Sequence, residues 1–327
     1  MKAVLVQPDC KYILSNCKYI CNLEKIYSLY TIYFFCMNPV INPDSYISIY
    51  KHNRRYKKRK KHISRVIAFD MDETLGSFPE LEMIWHAIHI DPKTPIYNTL
   101  FNELLDLYPE FLRYGVLHIM EYIAQKKKQG LCNGVYIYTN NKYHKYWTRM
   151  ISNYFNYKLQ IDYNLFDEII CAFKINNERV EMSRTAKEKT YSDFIQCTLL
   201  PEQTEICFID DALHENMKHK QVYYIRPKLY KHHLSTKEVL DRLFRSNVWK
   251  KIINITKNNK QKEQLLEYFI QRDKIHTGNS SLKDMEIDIL VAQKLMFYVR
   301  EFFYLTTKTN KTRKKQYKIN YTRKVRN

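Results

Sequence analysis

Glycine is scarce in this chain. The 327 residues contain 5 glycines, whereas an average usage of about 7% would give roughly 23. Their spacing cannot form a G-x-G-x-x-G turn or a G-x-x-x-x-G-K-[ST] phosphate-binding loop. The sequence therefore excludes the glycine-loop classes of nucleotide-binding protein.

Cysteines and long apolar runs are also few. The 8 cysteines are too scattered for a disulfide framework, and the four near the N-terminus match no zinc-binding spacing. The other four lie in or beside apolar segments, which predicts buried free thiols. They are Cys132, Cys171, Cys197 and Cys207. The apolar run Ile26–Met37 is too short to span a membrane, and no secretory signal is evident. We therefore expect no membrane span and a reducing intracellular compartment, cytoplasmic or nuclear.

Positive charge exceeds negative charge by a wide margin. The chain has 54 Lys and Arg against 34 Asp and Glu, a formal net charge of +20, which raises nucleic acid as a partner. Much of the excess lies in two runs, Arg54–Lys61 and Lys308–Arg326. The 28 tyrosines and the abundance of Lys, Asn and Ile are typical of an A/T-rich genome. We therefore interpret the charge as mainly a solvated, compositional feature, with nucleic-acid binding through the basic termini left open.

Hydrophobic patterning divides the chain into four parts. Residues 1–62 show weak periodicity and end in a basic linker, and we expect this N-terminal extension to be poorly ordered. Residues 63–250 alternate short apolar strands with helical patterns, which predicts an α/β domain with a parallel sheet flanked by helices. Two helical patterns indicate a helical extension over 251–305, and 306–327 is expected to be a basic disordered tail.

Five strands and five helices are predicted within these parts. The strands are 65–69, 134–138, 168–173, 205–209 and 221–225. The helices are 111–128, 143–157 and 190–197 in the α/β domain, and 263–272 and 284–304 in the extension. The residues after each strand matter most for function, because ligands of open α/β sheets bind at the carboxyl ends of the strands.

Acidic and small polar residues follow three of these strands. Asp70 and Asp72 follow the first strand, Thr139 the second, and Asp210 and Asp211 the fourth. Parallel strands bring these ends to one edge of the sheet, so at least three carboxylates would meet in a small volume. Like charges that close are unfavourable unless a cation neutralises them. Because Mg²⁺ fits an all-oxygen site of this kind, the sequence predicts a magnesium site.

The pattern resembles the phosphatases of the haloacid dehalogenase superfamily. These enzymes have D-x-D-x-[TV] after an apolar strand, a Ser or Thr ending a second strand, a lysine, and an acidic pair or D-N after a later strand. The matching residues, in motif order, are Asp70, Asp72 and Thr74, then Thr139 with Asn140, and finally Asp210 and Asp211. For the lysine we favour Lys189, which leads into the 190–197 helix, over Lys187 and the more distant Lys174.

Within the superfamily, the chain resembles the branch of RNA polymerase carboxy-terminal-domain phosphatases, the nuclear-LIM-interactor-interacting-factor-like enzymes. Residues 70–75, D-M-D-E-T-L, are similar to the D-L-D-E-T-L of that branch, and residues 112–116, L-R-Y-G-V, to its R-P-G-V. The resemblance implies a HAD-like (Rossmann-like) sheet, and a phosphoprotein or another phosphorylated macromolecule as substrate. The branch includes viral members, and a large DNA virus is one source that fits the composition.

The resemblance also implies a role for each residue of the pattern. Asp70 would attack phosphorus to form an aspartyl-phosphate, and Asp72 would protonate the leaving group and then activate water. Thr139, Asn140 and Lys189 would bind the phosphoryl oxygens. The ligands of Mg²⁺ would be Asp70, Asp72, Asp210 and Asp211.

Loop lengths predict an open site. Between the first two strands, typical element lengths leave room for a cap of about two short helices, at about residues 79–110. The segment 141–188 is nearly filled by one helix, one strand and their connections. The leading interpretation is a Mg²⁺-dependent phosphomonoesterase with an open active site that acts on phosphorylated Ser or Thr of a protein. The alternatives are a phosphatase of nucleotides, nucleic-acid ends or small metabolites, and a catalytically weak binding module with basic nucleic-acid-binding arms.

Overall fold

A six-stranded sheet lies at the centre of the computed structural model. The structure describes residues 45–51, 64–142, 145–258, 260–271 and 282–324, with side chains as far as residue 304. The strand order is β1-β8-β7-β2-β3-β4. The strands of this sheet are β1 (Ile47–Tyr50), β2 (Arg65–Phe69), β3 (Gly134–Tyr138), β4 (Glu168–Ile170), β7 (Glu205–Ile209) and β8 (Val222–Pro227). A separate hairpin consists of β5 (Lys174–Ile175) and β6 (Glu178–Arg179). β1 runs antiparallel to β8, and the other neighbouring pairs of the sheet are parallel. The predicted α/β fold with a mainly parallel sheet is confirmed.

Nine α-helices surround the sheet in the part of the chain that the structure describes. They are α1 (Pro79–Ala87), α2 (Tyr97–Asp106), α3 (Val116–Lys128), α4 (Lys145–Leu159), α5 (Tyr191–Thr198), α6 (Thr236–Arg245), α7 (Asn247–Thr256), α8 (Gln261–Gln271) and α9 (Leu282–Lys324). Eight of them contribute to one large apolar core, whereas α5 covers the other face of the sheet through Phe194. The two faces are therefore covered very unequally.

The central strands are apolar on both faces, as expected for parallel strands covered by helices on each side. In β2, Ile67 and Phe69 join the large core, while Val66 and Ala68 join the smaller cluster on the α5 side. β3, β7 and β8 alternate in the same way. Because both faces are buried, the only polar positions available to these strands are at their ends, where the site residues lie.

Local signals explain where several helices begin. The predicted helix 111–128 begins later, at Val116, because Gly115 adopts a left-handed backbone with φ of 71°. The predicted helix 190–197 is confirmed as α5, and the Thr190 side chain caps it by accepting a hydrogen bond from the Asp193 N–H. The sequence prediction missed α6, although its Ser235 and Glu238 form a capping box that is visible in the sequence.

Several segments differ from the sequence prediction. β1 lies within the stretch 1–62 that was expected to be poorly ordered, and it pairs with β8 along the edge of the sheet. The boundary expected at residue 250 falls inside α7. The third predicted strand is limited to 168–170, and α9 continues to Lys324, through most of the tail expected to be disordered. The basic run at 54–61 and the four N-terminal cysteines lie outside the described residues.

The C-terminal helix α9 packs against the α/β domain. Leu295, Val299 and Phe302 are buried in the large core, and Phe302 lies with its ring 6.0 Å from that of Tyr223 in β8. Glu301 accepts a hydrogen bond from the Tyr223 hydroxyl. The helix thus completes the cover over one face of the sheet, and Pro43–Asn327 forms one compact unit.

The four internal cysteines are free thiols, as predicted; three are buried and Cys197 is half-buried. Burial raises the pKa of Cys132 and of Cys197 to about 12, so both thiols are protonated at neutral pH. Within the described residues, every helix is too short or too polar to cross a membrane.

Asp106, at the end of α2, joins this helix to α4. Its carboxylate accepts hydrogen bonds from Tyr154 (2.7 Å), Lys158 (2.9 Å) and Tyr157 (3.0 Å). Burial acts to raise the pKa of Asp106, but these three donors outweigh it and hold the pKa below its usual value.

We expect Asp106→Asn to destabilise the protein in a pH-dependent way. Because the folded-state pKa is depressed, the contribution of this carboxylate is complete above the unfolded pKa of about 3.9 and is lost as the pH falls through the folded value. The loss at pH 7 should be about 1 kcal/mol and should shrink below about pH 4. Thermal unfolding between pH 3 and 7 measures it, with Glu103→Gln, at an exposed pair with Lys251, as the control. A difference that grew on acidification would contradict the assignment.

Candidate active site

Two adjacent strands place three aspartates at the carboxyl edge of the sheet. In the parallel pairing of β2 with β7, Phe69 is opposite Ile209, so Asp70 and Asp210 come next on each strand. The Asp70 N–H donates to the Ile209 carbonyl at 2.8 Å, which extends the pairing to this point. One carboxylate oxygen each from Asp70, Asp210 and Asp211 lies within 4.8 Å of the others. We call these three residues the carboxylate cluster.

Lys189 contacts two members of this cluster. Its ammonium donates to Asp70 Oδ1 and, at 2.7 Å, to Asp210 Oδ2, and the residue is 2% exposed. Lys187 and Lys174, the other candidates from the sequence, are both exposed. The loop before α5 therefore brings Lys189 to the carboxylates and leaves the other two lysines at the surface.

Asp210 is fully buried and is held in its ionised form. Its Oδ1 accepts from the Ala212 N–H at 2.9 Å, and its Oδ2 lies 3.4 Å from His214 Nε2. Burial alone would raise the pKa of Asp210, but Lys189 and His214 outweigh it and lower the pKa. For Lys189, burial would lower the pKa, but the two carboxylates outweigh it and raise the pKa. The lysine is therefore a fixed positive charge.

One ammonium does not balance three carboxyl groups. Burial, with smaller contributions from Asp210 and Asp72, raises the pKa of Asp70 well above its usual value, and burial also raises the pKa of Asp211. Asp70 Oδ2 has no hydrogen-bond partner among the described residues. A hard cation that prefers oxygen ligands would remove this imbalance. The carboxylate cluster thus fits a metal ion by charge, by donor type and by spacing.

Thr74 joins the loop after β2 to the loop after β7. The Thr74 hydroxyl donates to Asp211 Oδ1 at 2.7 Å. The oxygen of that hydroxyl also accepts a hydrogen bond from the Asp211 N–H at 3.0 Å. Thr74 is itself buried and Asp211 is half-buried, so this reciprocal pair is partly shielded from water. A hydroxyl four residues after Asp70 therefore fixes the orientation of the Asp211 carboxylate within the cluster.

Asp72 lies beside the carboxylate cluster, on the same loop as Asp70. The three aspartates whose carboxylate oxygens meet do not include Asp72; a metal contact through its backbone carbonyl remains a prediction. Its Oδ2 accepts a hydrogen bond from Asn141 Nδ2 at 2.6 Å, on the loop after β3. Burial raises the pKa of Asp72, and the hydrogen bond from Asn141 partly opposes this rise. The Asp72 carboxyl group thus lies beside the cluster and is held there by Asn141.

The loop after β3 lies beside the loop after β2, because the two strands are paired in parallel. Thr139 is buried, and its hydroxyl accepts from the Asn141 N–H at 2.9 Å. The side-chain oxygen of Asn140, predicted to bind phosphate, accepts from Arg184 at 2.9 Å. From the sequence, Asn141 is an ordinary turn residue, as a second asparagine after a strand usually is, and only its contact with Asp72 shows that it belongs to the site.

Arg113 is a further residue of the site that the sequence analysis left without a role. It is buried, donates to the carbonyls of Thr74 (2.6 Å) and Lys228 (2.9 Å), and also donates to the Glu73 carbonyl. Glu73 has a left-handed backbone with φ of 54°, a conformation that costs a residue with a side chain some stability. Arg113 therefore holds the loop of Asp72 and Thr74 in a fixed shape.

No protein-family model, curated protein or solved structure matches this chain. A functional assignment therefore depends on the motifs and on the geometry of the site itself.

Proposed function

We propose that the protein is a Mg²⁺-dependent phosphomonoesterase of the haloacid dehalogenase type. The observation that carries the proposal is the contact of one buried ammonium, Lys189, with two carboxylates, Asp70 and Asp210, at the carboxyl edge of a parallel sheet. Phosphoryl transfer requires a nucleophile beside positive charge that can neutralise the phosphoryl oxygens. The carboxylate cluster supplies the nucleophile and the ligands for a metal ion, and Lys189 supplies the fixed cation.

Asp70 is the nucleophile in this proposal. Lys189 binds its Oδ1, which leaves Oδ2 to attack phosphorus. The new O–P bond forms as the ester O–P bond breaks, and the leaving alkoxide takes a proton from Asp72. In the second step, Asp72 accepts a proton from water, the water oxygen bonds to phosphorus, and the Asp70 O–P bond breaks to release phosphate.

Mg²⁺ would be held by Asp70, Asp210 and Asp211, and would neutralise charge on the transferred phosphoryl group. The protein residues perform the remaining tasks. Lys189 screens the carboxylates from each other, and Thr74 orients Asp211. Thr139, on the adjacent strand end, offers a hydroxyl to a phosphoryl oxygen.

The decisive test is hydrolysis of p-nitrophenyl phosphate by the full chain. We expect turnover with Mg²⁺, loss of turnover in EDTA, and recovery when Mg²⁺ is added in excess. Activity that persists in EDTA would contradict the metal site. Complete inactivity with Mg²⁺, Mn²⁺ and Co²⁺ would favour the binding-module alternative.

A phosphorylated protein side chain is the substrate class that we propose. The insertion between β2 and β3 contains two short helices whose Ile84 and Leu104 are buried in the large core. In the described part of 141–188, the elements are α4, β4 and the small β5–β6 hairpin. Neither insertion is large enough to enclose a small metabolite, so the site would admit a side chain of a macromolecule.

This substrate class is tested by kcat/KM for phosphopeptides against sugar phosphates and nucleotides. We expect phosphopeptides to be preferred, and acidic ones to lose rate as salt is raised, because the chain carries a net charge of +20. A metabolite that exceeded every phosphopeptide by about tenfold, without salt dependence, would refute the open-site argument.

Asp72→Asn should slow turnover by about 10²–10⁴-fold, because it removes the general acid and base. p-Nitrophenolate leaves without a proton, so the first step should persist while hydrolysis of the aspartyl-phosphate is blocked. We therefore expect a burst of p-nitrophenol of up to one equivalent, followed by very slow release, in rapid-mixing experiments. Steady-state turnover at the wild-type rate would contradict the role of Asp72.

A further inference from the structure

Arg184 is fully buried and donates to three separate segments of the chain. Its Nη1 donates to the Thr139 carbonyl at 3.2 Å and to the Cys171 carbonyl at 2.8 Å. Its Nη2 donates to Asn140 Oδ1 at 2.9 Å and to the Lys187 carbonyl at 2.8 Å. One planar group therefore connects the loop after β3 to the end of β4 and to the loop that carries Lys189.

An aromatic ring fixes the plane of this guanidinium. Arg184 lies over the ring of Tyr138, the last residue of β3, with the guanidinium carbon 4.9 Å from the ring centre. The Tyr138 hydroxyl accepts from the Thr190 N–H at 3.2 Å, and the Lys189 ammonium lies 5.8 Å from the same ring. The Tyr138 side chain thus contacts Arg184 and the two residues just before α5, Lys189 and Thr190.

These contacts join the Lys189 loop, which the sheet does not align, to the edge of the sheet. The aspartates follow strands that are paired directly, so backbone hydrogen bonds set their positions. Thr139 is held in the same way, because its N–H donates to the Ile170 carbonyl at 3.0 Å, whereas Lys189 follows no strand. Arg184 donates to loop carbonyls and to the side-chain amide of Asn140. A planar guanidinium, whose N–H groups have a fixed geometry, can bind several such acceptors at once.

We infer that Arg184 is a positioning residue that sets Lys189 and Thr139 at a fixed distance from each other. The inference rests on the proposed function, in which both groups bind the transferred phosphoryl group. Displacement of such a group by about 1 Å can cost about 10²-fold in rate. Arg184 belongs neither to the carboxylate cluster nor to its hydrogen-bond partners, so we expect its replacement to change metal binding much less than turnover.

The test uses Arg184→Lys in the full chain. This substitution keeps the positive charge but removes the planar guanidinium and its several fixed N–H donors. We expect kcat for p-nitrophenyl phosphate to fall about 10²-fold, while the Mg²⁺ concentration for half-maximal activation and the circular dichroism spectrum stay unchanged. Backbone amides of 139–142 and 187–190 should exchange faster with solvent. Arg65→Lys is the matched control: it removes a half-buried guanidinium paired with Glu205 at the opposite end of the sheet, and should leave kcat unchanged.

Two results would overturn the inference. One is a folded Arg184→Lys protein with kcat within about threefold of wild type, because a displaced phosphate-binding group should cost far more than that. The other is a loss of Mg²⁺ activation in parallel with kcat. If Arg184→Lys does not fold, Tyr138→Phe takes its place, since it removes only the acceptor of the Thr190 N–H and should lower kcat several-fold. A wild-type protein without phosphatase activity would refute the proposed function alone, and the exchange measurement would still decide whether Arg184 fixes the two loops.

Discussion

Asp70→Asn abolishes turnover of p-nitrophenyl phosphate and leaves the protein folded: this is the largest effect on activity that we expect. The substitution removes the attacking oxygen anion and changes few atoms, and loss of a covalent nucleophile costs on the order of 10⁴–10⁶-fold in kcat. The fold should be retained because β2 is held by backbone pairing to β3 and β7. The melting temperature should not fall, since one of three crowded carboxylates is neutralised.

The measurements are steady-state turnover, the p-nitrophenol burst and the melting temperature. Unlike Asp72→Asn, Asp70→Asn should show no burst, because no aspartyl-phosphate can form. Asp91→Asn is the matched control, since Asp91 is an exposed turn residue that accepts from the Lys93 N–H. An Asp70→Asn protein that kept even one tenth of the wild-type rate would show that another group attacks phosphorus.

Sequence reasoning located the site because the strands that carry it are simple. β2, β3 and β7 are short apolar segments with both faces buried, and a polar residue directly after such a segment must lie at the edge of the sheet. Parallel strands bring these ends to one edge of the sheet, so a meeting of the carboxylates was predictable from local pattern. The order of the strands was not predictable in this way, and it is the pairing of β2 with β7 that puts Asp70 next to Asp210.

Residues that act through tertiary contacts were not predictable in this way. Arg113 and Arg184 lie in segments whose local pattern says nothing of the loop carbonyls that they hold, because these belong to residues as far as 115 positions away in the chain. β1 is a four-residue edge strand, and only its pairing with β8 distinguishes it from a loop. Periodicity reports which side of an element is apolar, but it does not say which partner covers that side.

The expected role of the C-terminal region illustrates the same limit. Its sequence predicts a helical extension, yet α9 contributes buried side chains to the core: Leu290, Val291, Leu295, Val299, Phe302 and Phe303. Burial of each such side chain contributes about 1.5–3 kcal/mol, and together they amount to on the order of 10 kcal/mol, an upper estimate. A typical free energy of unfolding is about 5–15 kcal/mol. We therefore expect helix α9 to be required for stability.

We accordingly expect a chain truncated after residue 271 to lose its native fold. Circular dichroism should show no cooperative melting transition, and the exposed core face should bind a hydrophobic dye or cause aggregation. A truncated protein that melted cooperatively and kept wild-type turnover would show that α9 is a separate appendage. Because deletion of 56 residues is a coarse change, a single substitution provides the sharper test.

Leu295→Ala should destabilise the full chain by about 2–5 kcal/mol, because it leaves a cavity where α9 packs on the core. The melting temperature should fall by roughly 5–15 °C for a chain of this size. Ile289→Ala, on the same helix at a position that is 43% exposed, is the matched control and should change stability by about 0.5 kcal/mol or less. At a temperature where both variants are folded, kcat should equal that of the wild type, since α9 contributes no residue to the carboxylate cluster. Equal melting temperatures for the two variants would show that α9 does not pack on the core as described.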